Sequence, residues 1–407
     1  MLAHASARPT GRGRPASRHA GALGALMILA LLATAASARD VILLIGDGMG
    51  FNHVAAGRAY CVGTEGALVM EQIERHGQVS THAANAAVTD SAASATALAT
   101  GVKSYNGAIA VAMDGSNLET ILEIAKAKGM ATGLVSTARI THATPAAFGA
   151  HEASRNSEVQ IAQDLVRDSQ PDVMLGGGSQ FFGGALLEEA AQAGYEVITT
   201  ADELGVATAG ATETSKTLGL FSAGYMTYEF DRSDASSEPH LSEMVASALD
   251  MLSVHPNGFF LMVEAGRIDH GAHANHLQRT VLEVEAFDAA IEVVQNWTRE
   301  GSARQADTLV LITADHETGG LSIQNPDDTL VAGEFVRPGW SSTGHTAADV
   351  PIWGFGPGSE AVQAQMDNID IFPIMLDAMS TEPGTAVSLV GKHLTTFGAL
   401  KRPEATR

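Results

Sequence analysis

Residues 41–50 read Val-Ile-Leu-Leu-Ile-Gly-Asp-Gly-Met-Gly. An unbroken apolar run this short, ending in glycines, fits a strand buried on both faces, as in a parallel sheet covered by helices. Working outward, similar runs recur at 131–136, 173–175, 259–264, 308–313 and 351–355. Helical periodicity separates them at 118–128, 158–167, 241–253 and 277–297. The alternation predicts an α/β fold with a mostly parallel central sheet flanked by helices on both faces. In such sheets ligands gather at the carboxyl ends of the strands. Asp47 follows the first run, Glu264 ends another, and Asp315 and His316 follow a third.

The chain has 407 residues, of which 45% are hydrophobic, enough for a large core. Its first 38 residues read as a leader: Arg8, Arg12, Arg14 and Arg18 precede an apolar run at 22–32, and Ala36-Ser37-Ala38 supplies a small-x-small cleavage site. The alternative is an uncleaved membrane anchor, but the run is shorter than the roughly 20 residues a span requires. We therefore expect a signal peptide at 1–38, a single catalytic domain at 39–407, and a secreted or periplasmic product without a membrane anchor. Removing 1–38 takes away four arginines and no acids, leaving 20 basic and 46 acidic residues and a charge of −26. Such a surface disfavours nucleic acid and anionic membranes. Any anion site must carry strong local positive charge. The single cysteine, Cys61, cannot form a disulfide within the chain and reads as a small buried apolar residue.

Gly46-Asp47-Gly48-Met49-Gly50 lacks the spacing of a dinucleotide loop and places an acid where a pyrophosphate would approach; close backbone approach to a cation suits it better. In Thr89-Asp90-Ser91-Ala92-Ala93-Ser94, either Asp90 or Ser91 can cap a small-residue helix. A serine there sees the positive end of the helix and its free N–H groups, which favour an alkoxide and a phosphate. No neighbouring histidine or lysine offers itself as base, so ionisation of Ser91 calls for a metal. In 264–273, Asp269 and His273 share a face if the segment is helical, and can grip one cation. Asp315-His316 adds a second oxygen–nitrogen pair, a set that suits zinc. His345 gains meaning from these neighbours, and Arg155 offers a planar fork matched to phosphoryl oxygens.

Together, residues 46–50, 89–97, 143–147, 264–273, 315–320 and 344–346 closely resemble the motifs of alkaline phosphatase, in the family's order and over most of the chain after the leader. The resemblance implies two zinc ions and one magnesium per site, usually in a homodimer. By resemblance, Asp269, His273 and His345 hold the first zinc. Asp315, His316, Asp47 and deprotonated Ser91 hold the second, and Asp47, Thr144 and Glu264 hold magnesium. Arg155 binds the phosphoryl group and Asp90 orients it. His142 and His270 stand where the enterobacterial form has aspartate and lysine, and resemble the animal enzymes there. Only 28 residues separate His316 from His345, so any crown insertion is small.

The expected reaction is hydrolysis of small-molecule phosphate monoesters through a phosphoserine. A phosphodiesterase or sulfatase is the rival within the superfamily, and an exported phosphate-binding protein the rival from another class.

Overall fold

The computed structural model describes residues 40–380 apart from 234, 301, 302 and 327; the proposed leader lies outside them. The apolar runs form the middle of a ten-stranded sheet. In chain order its strands are β1 (Val41–Gly46), β2 (Arg75–Ser80), β3 (Ala131–Arg139), β4 (Val173–Gly177), β5 (Tyr195–Ile198), β6 (Lys216–Leu220), β7 (Phe259–Ala265) and β8 (Leu309–Thr313). Two shorter ribbons follow, β9 (Glu317–Thr318) with β12 (His345–Thr346) and β10 (Leu321–Ile323) with β11 (Pro338–Trp340), before β13 (Val350–Phe355) and β14 (Gln365–Asp367) complete the large sheet. Its spatial order is β14-β2-β13-β8-β1-β7-β3-β4-β6-β5. Only β13 runs antiparallel to its neighbours.

Every residue of β1, β7 and β8 is buried. Successive side chains point to opposite faces, so both faces are covered, and this is why these strands read as unbroken apolar runs. One helix group joins Phe51–Val62, Leu241–Ser253 and Leu277–Glu300. Another joins Ser91–Thr100, Ile121–Ala127, Ala143–Gly149 and Ile371–Ser380, and both groups pack on β7. Leu241–Ser253 buries Leu241, Met244, Val245, Ala248, Leu249 and Leu252, the i, i+3, i+4 stripe of an amphipathic helix.

Some boundaries differ from the sequence reading. The helix expected from 118 starts at Ile121, because Thr120 caps it: Thr120 Oγ1 accepts from Glu123 N (3.2 Å) while Glu123 Oε2 accepts from Thr120 N (2.8 Å). The helix expected over 158–167 ends at Asp164 and passes into a π turn, Leu165–Ser169. Cys61 is half-buried and packs at the margin of the core, where burial pushes its thiol up to about 12. Among the described residues no helix is long and apolar enough to cross a membrane.

Parallel register places the chemistry. Ile45 lies beside Glu264 on one side and Thr313 on the other, and Ser136 of β3 lies beside Glu264. Asp47, Glu264 and Asp315, up to 268 residues apart in sequence, therefore meet at one carboxyl edge.

Candidate active site

Ser91 is the first residue of the helix Ser91–Thr100, and Asp90 is its cap. Asp90 Oδ1 accepts from Ala93 N (3.0 Å), the bond that makes it the cap, and also from Gly107 N (3.0 Å), a tertiary bond that holds it in place. The helix ends at Gly101, φ +70°, where a Cβ would lie 2.9 Å from the Phe372 ring. Its alanines let it lie close to the sheet edge, and Ser91 is buried.

Around the Ser91 hydroxyl stand the side chains of three loops. His316 Nε2 lies 3.2 Å from Ser91 Oγ, 3.5 Å from Asp47 Oδ1 and 3.3 Å from Asp315 Oδ2. Asp269 and His273 share a face of the helix Arg267–His273, with His273 Nε2 3.3 Å from Asp269 Oδ2. His345 Nε2 lies 3.6 Å from Asp269 Oδ1 and 3.1 Å from His273 Nε2. Zinc bonds of about 2.0–2.1 Å in a tetrahedron give ligand–ligand edges of roughly 3.3–3.4 Å, so both groups are spaced as zinc ligands are. The His316 and His345 rings stack with centroids 3.5 Å apart, so His316 also faces the first group. Asp47, His142 and Glu264 form a third group of potential ligands.

The outer nitrogens of the histidines are already engaged. His273 Nδ1 bonds the Thr343 carbonyl (2.5 Å) and His345 Nδ1 the Thr89 carbonyl (2.9 Å). A carbonyl only accepts, so each Nδ1 carries the proton and each Nε2 is left as the ligand atom, the arrangement found around metal-binding histidines. Thr318 does the same for His316. Its hydroxyl has one proton, given to Asp269 Oδ1 (2.5 Å), so toward His316 Nδ1 (3.2 Å) it accepts. His316 Nε2 is then an acceptor toward which Ser91 turns its hydroxyl.

The electrostatics call for cations. Asp47 is pushed well above the ordinary carboxylate range by burial and then by Asp315, Asp269 and Glu264. Burial and neighbouring acids push Asp315 up to about 8. Burial raises Glu264 as well, against a hydrogen bond from the Ser136 hydroxyl. At Asp269 burial acts upward, but the His273 hydrogen bond and the neighbouring imidazoles outweigh it and hold the carboxyl low. Without a cation, His273 Nε2 also carries a proton, given to Asp269, and this bond lifts His273 to about 9; a metal ion at Nε2 would take the place of that proton. Asp47 Oδ1 and Oδ2, Asp315 Oδ2, Glu264 Oε1 and Thr144 Oγ1 are buried with no hydrogen-bond partner of ordinary geometry among the described residues. Buried orphaned oxygens are costly; divalent cations satisfy them, so the donor set fits a metal centre. Gly48, φ +74°, allows the approach, since a Cβ there would lie 2.8 Å from Asp269 Cα and from Thr318 Oγ1.

Arg155 reaches the same edge. Its Nη1 donates to Asp90 Oδ2 (3.0 Å) and its Nη2 to His142 Nε2 (3.0 Å). His142 precedes the helix Ala143–Gly149, which carries Thr144, and His142 is held well below its usual pKa by burial and by Arg155. His270 lies 5.6 Å from the His142 ring and 4.2 Å from Tyr225, and accepts from Arg267 Nη1 (2.9 Å). Burial pushes it down to about 3.

The structure thus brings all thirteen residues singled out from the sequence to one strand edge. The sequence reading missed Thr318, Ser136, Ser94 and Tyr225. Thr318 lies two residues after His316 on β9, so its neighbourhood was a usable signal; Tyr225 lies in a loop with none.

Comparison with known proteins agrees with this geometry. Residues 38–336 match the alkaline phosphatase family model. The chain is 33% identical to alkaline phosphatase 4 of Bacillus subtilis, over 85% of this chain and 90% of that protein. Among solved structures, the cold-active alkaline phosphatase of a psychrophilic Shewanella superposes with TM-score 0.75 at 33% identity, over 84% of this chain and all of that one. A histidine-to-aspartate variant of TAB5 alkaline phosphatase, with magnesium in its M3 site, superposes with TM-score 0.73 at 30% identity, over 84% and 98% of the two chains. With metal-ligand spacing at the carboxyl edge of a parallel sheet and relatives matched over most of its length, this chain belongs to the alkaline phosphatase family of phosphoric monoester hydrolases.

Proposed function

We propose that this is an exported phosphomonoesterase that works by double displacement through a phosphoserine at Ser91. The observation that carries the reading is the buried Ser91 hydroxyl at a helix N-terminus, 3.2 Å from His316 Nε2, which itself lies 3.5 Å from Asp47 and 3.3 Å from Asp315. Asp269, His273 and His345 would hold one zinc and Asp47, Asp315 and His316 a second. Asp47, Thr144 and Glu264, with His142 at their side, would hold magnesium. Bound there, these cations lower the pKa of a hydroxyl or water and offset the charge developing on ester oxygens.

The residues divide the work. Asp90 fixes the guanidinium of Arg155, whose terminal nitrogens each keep a second N–H for the phosphoryl oxygens. Ser91 gives up its hydroxyl proton, Oγ attacks phosphorus, the ester P–O bond breaks, and the alkoxide takes a proton and leaves as the alcohol. Water then attacks the phosphoserine, the P–Oγ bond breaks, and Ser91 and inorganic phosphate are regenerated. Two in-line displacements retain configuration at phosphorus. The first helical turn supplies free N–H groups beside the forming charge.

Residues 1–38 are proposed as a signal peptide, 39–407 as one catalytic domain, and the assembly as a homodimer. Ser91→Ala should release almost no nitrophenol from an aryl phosphate yet keep its zinc, since the other ligands remain. A labelled phosphoenzyme trapped by acid quench from wild type and equally from the variant would refute Ser91 as nucleophile.

A further inference from the structure

Ser91 and Ser94 are one helical turn apart and face the same loop. Ser91 turns its hydroxyl to His316, and Ser94 Oγ donates to the carbonyl of the preceding residue, Asp315 (2.7 Å). The single proton of Ser94 is committed there, so toward Asn368 it accepts, and Asn368 Nδ2 donates at 2.9 Å. Ser94 and Asn368 are both buried.

Asn368 stands on a fixed base. It opens the 3₁₀ turn Asn368–Asp370, where Asp367 Oδ1 accepts from Ile369 N (3.3 Å), Asp370 Oδ2 accepts from Asp367 N (2.9 Å), and Lys103 Nζ lies 2.8 Å from Asp367 Oδ1. At the other end, Asp315 Oδ1 is held by Gly48 N (3.1 Å) and His316 N (2.9 Å), leaving Oδ2 as its ligand atom. Between these anchors the buried nucleophile helix presents mostly alanine and serine, which form shallow ridges, and beyond its first turn Thr96 Oγ1 donates to the Ala108 carbonyl (3.0 Å) and accepts from Ala110 N (3.0 Å). Within the first turn, Ser94 makes the directional link to the Asp315-His316 loop.

We propose that Asn368 is a positioning residue: acting through Ser94, it holds the first turn of the nucleophile helix against the Asp315-His316 loop and so sets the reach of Ser91 Oγ to Asp47, Asp315 and His316. Asn368 lies beyond the residues that match the family model, 38–336. The inference rests on Ser91 as the nucleophile. Arg155 is anchored through Asp90, which Gly107 N holds from outside the helix as well as Ala93 N from within its first turn, so phosphate binding should be better preserved than attack.

The test compares Asn368→Leu, Ser94→Ala and the double variant with wild type, all zinc-loaded and well below their melting temperatures. Asn368→Leu should lower kcat/KM for an aryl monoester about ten- to a hundredfold, with inhibition by inorganic phosphate and zinc content within twofold of wild type. The double variant should be no worse than Ser94→Ala, because Asn368 acts only through Ser94. A crystal structure of Asn368→Leu should show a longer Ser91 Oγ to His316 Nε2 separation. Unchanged kcat/KM, additive losses in the double variant, or an unchanged separation would each overturn the proposal. Asn368→Ala replaces Asn368→Leu should the latter fail to fold. If wild type releases no phosphate, the phosphatase reading fails, and the measured separation still decides the role of Asn368.

Discussion

Thr318→Val removes one hydroxyl and preserves the shape of a fully buried side chain. That hydroxyl donates to Asp269 Oδ1 at 2.5 Å and accepts from His316 Nδ1 at 3.2 Å, so a single group steadies a proposed ligand in each zinc site. In the valine variant Asp269 loses a donor and the His316 ring loses the partner that fixes its tautomer. A hydrogen bond to a charged group contributes about 1.5–3 kcal/mol, which corresponds to about ten- to a hundredfold in affinity at the Asp269 site. Loss of an outer partner to a metal-binding histidine weakens metal by a similar factor. Zinc dissociation constants measured by competition with a chromogenic chelator should therefore weaken at both sites. Thr318→Ser, which keeps the hydroxyl, should stay within a few-fold of wild type. Valine binding zinc as wild type does, or serine losing as much as valine, would refute the relay from His316 through Thr318 to Asp269.

Other expectations follow from the same geometry. Arg155→Ala should lower kcat/KM on an aryl phosphate about ten- to a hundredfold through loss of a charge-assisted bond. It should cost an aryl phosphodiester with the same leaving group distinctly less, since an alkyl group replaces one oxygen of the fork; equal losses count against monoester specificity. Chelation should abolish activity and lower the melting temperature, because Asp47, Glu264 and Asp315 then face one another uncompensated; calorimetry of the stripped protein checks this. Glu283 is buried, accepts from Glu229 N (2.8 Å), and is pushed up to about 8 chiefly by burial. Its folded-state pKa exceeds the unfolded value near 4.3, so the folded protein binds the extra proton and stability falls as pH rises from about 4.3 toward 8. Glu283→Gln should melt increasingly above wild type across that window, and a pH-independent difference would contradict the assignment.

Chain-local patterns were legible in the sequence because their physics is local. Unbroken apolar runs such as 41–45 and 259–264 reveal strands covered on both faces, and the four-residue spacing of Asp269 and His273 places them on one helical face before any contact is known. Unusual concentrations of acids and histidines at strand ends marked the metal donors, since little but a cation balances them. The polar strand β2, one in from the sheet edge, carried no such mark. β2 reads Arg-His-Gly-Gln-Val-Ser, and only its pairing with β13 and β14 makes it a strand. The choice between Asp90 and Ser91 as cap was open in the sequence; the structure closed it in favour of Asp90, which accepts from Ala93 N and is held by Gly107, 17 residues away. Ser94 and Asn368 stayed invisible because Ser and Asn occur everywhere and their partners lie 221 and 274 residues away. Which hydroxyl donates, which imidazole nitrogen is left for a ligand, and how far the nucleophile stands from it are set by parallel register across β1, β7 and β8. Only the folded sheet supplies that register.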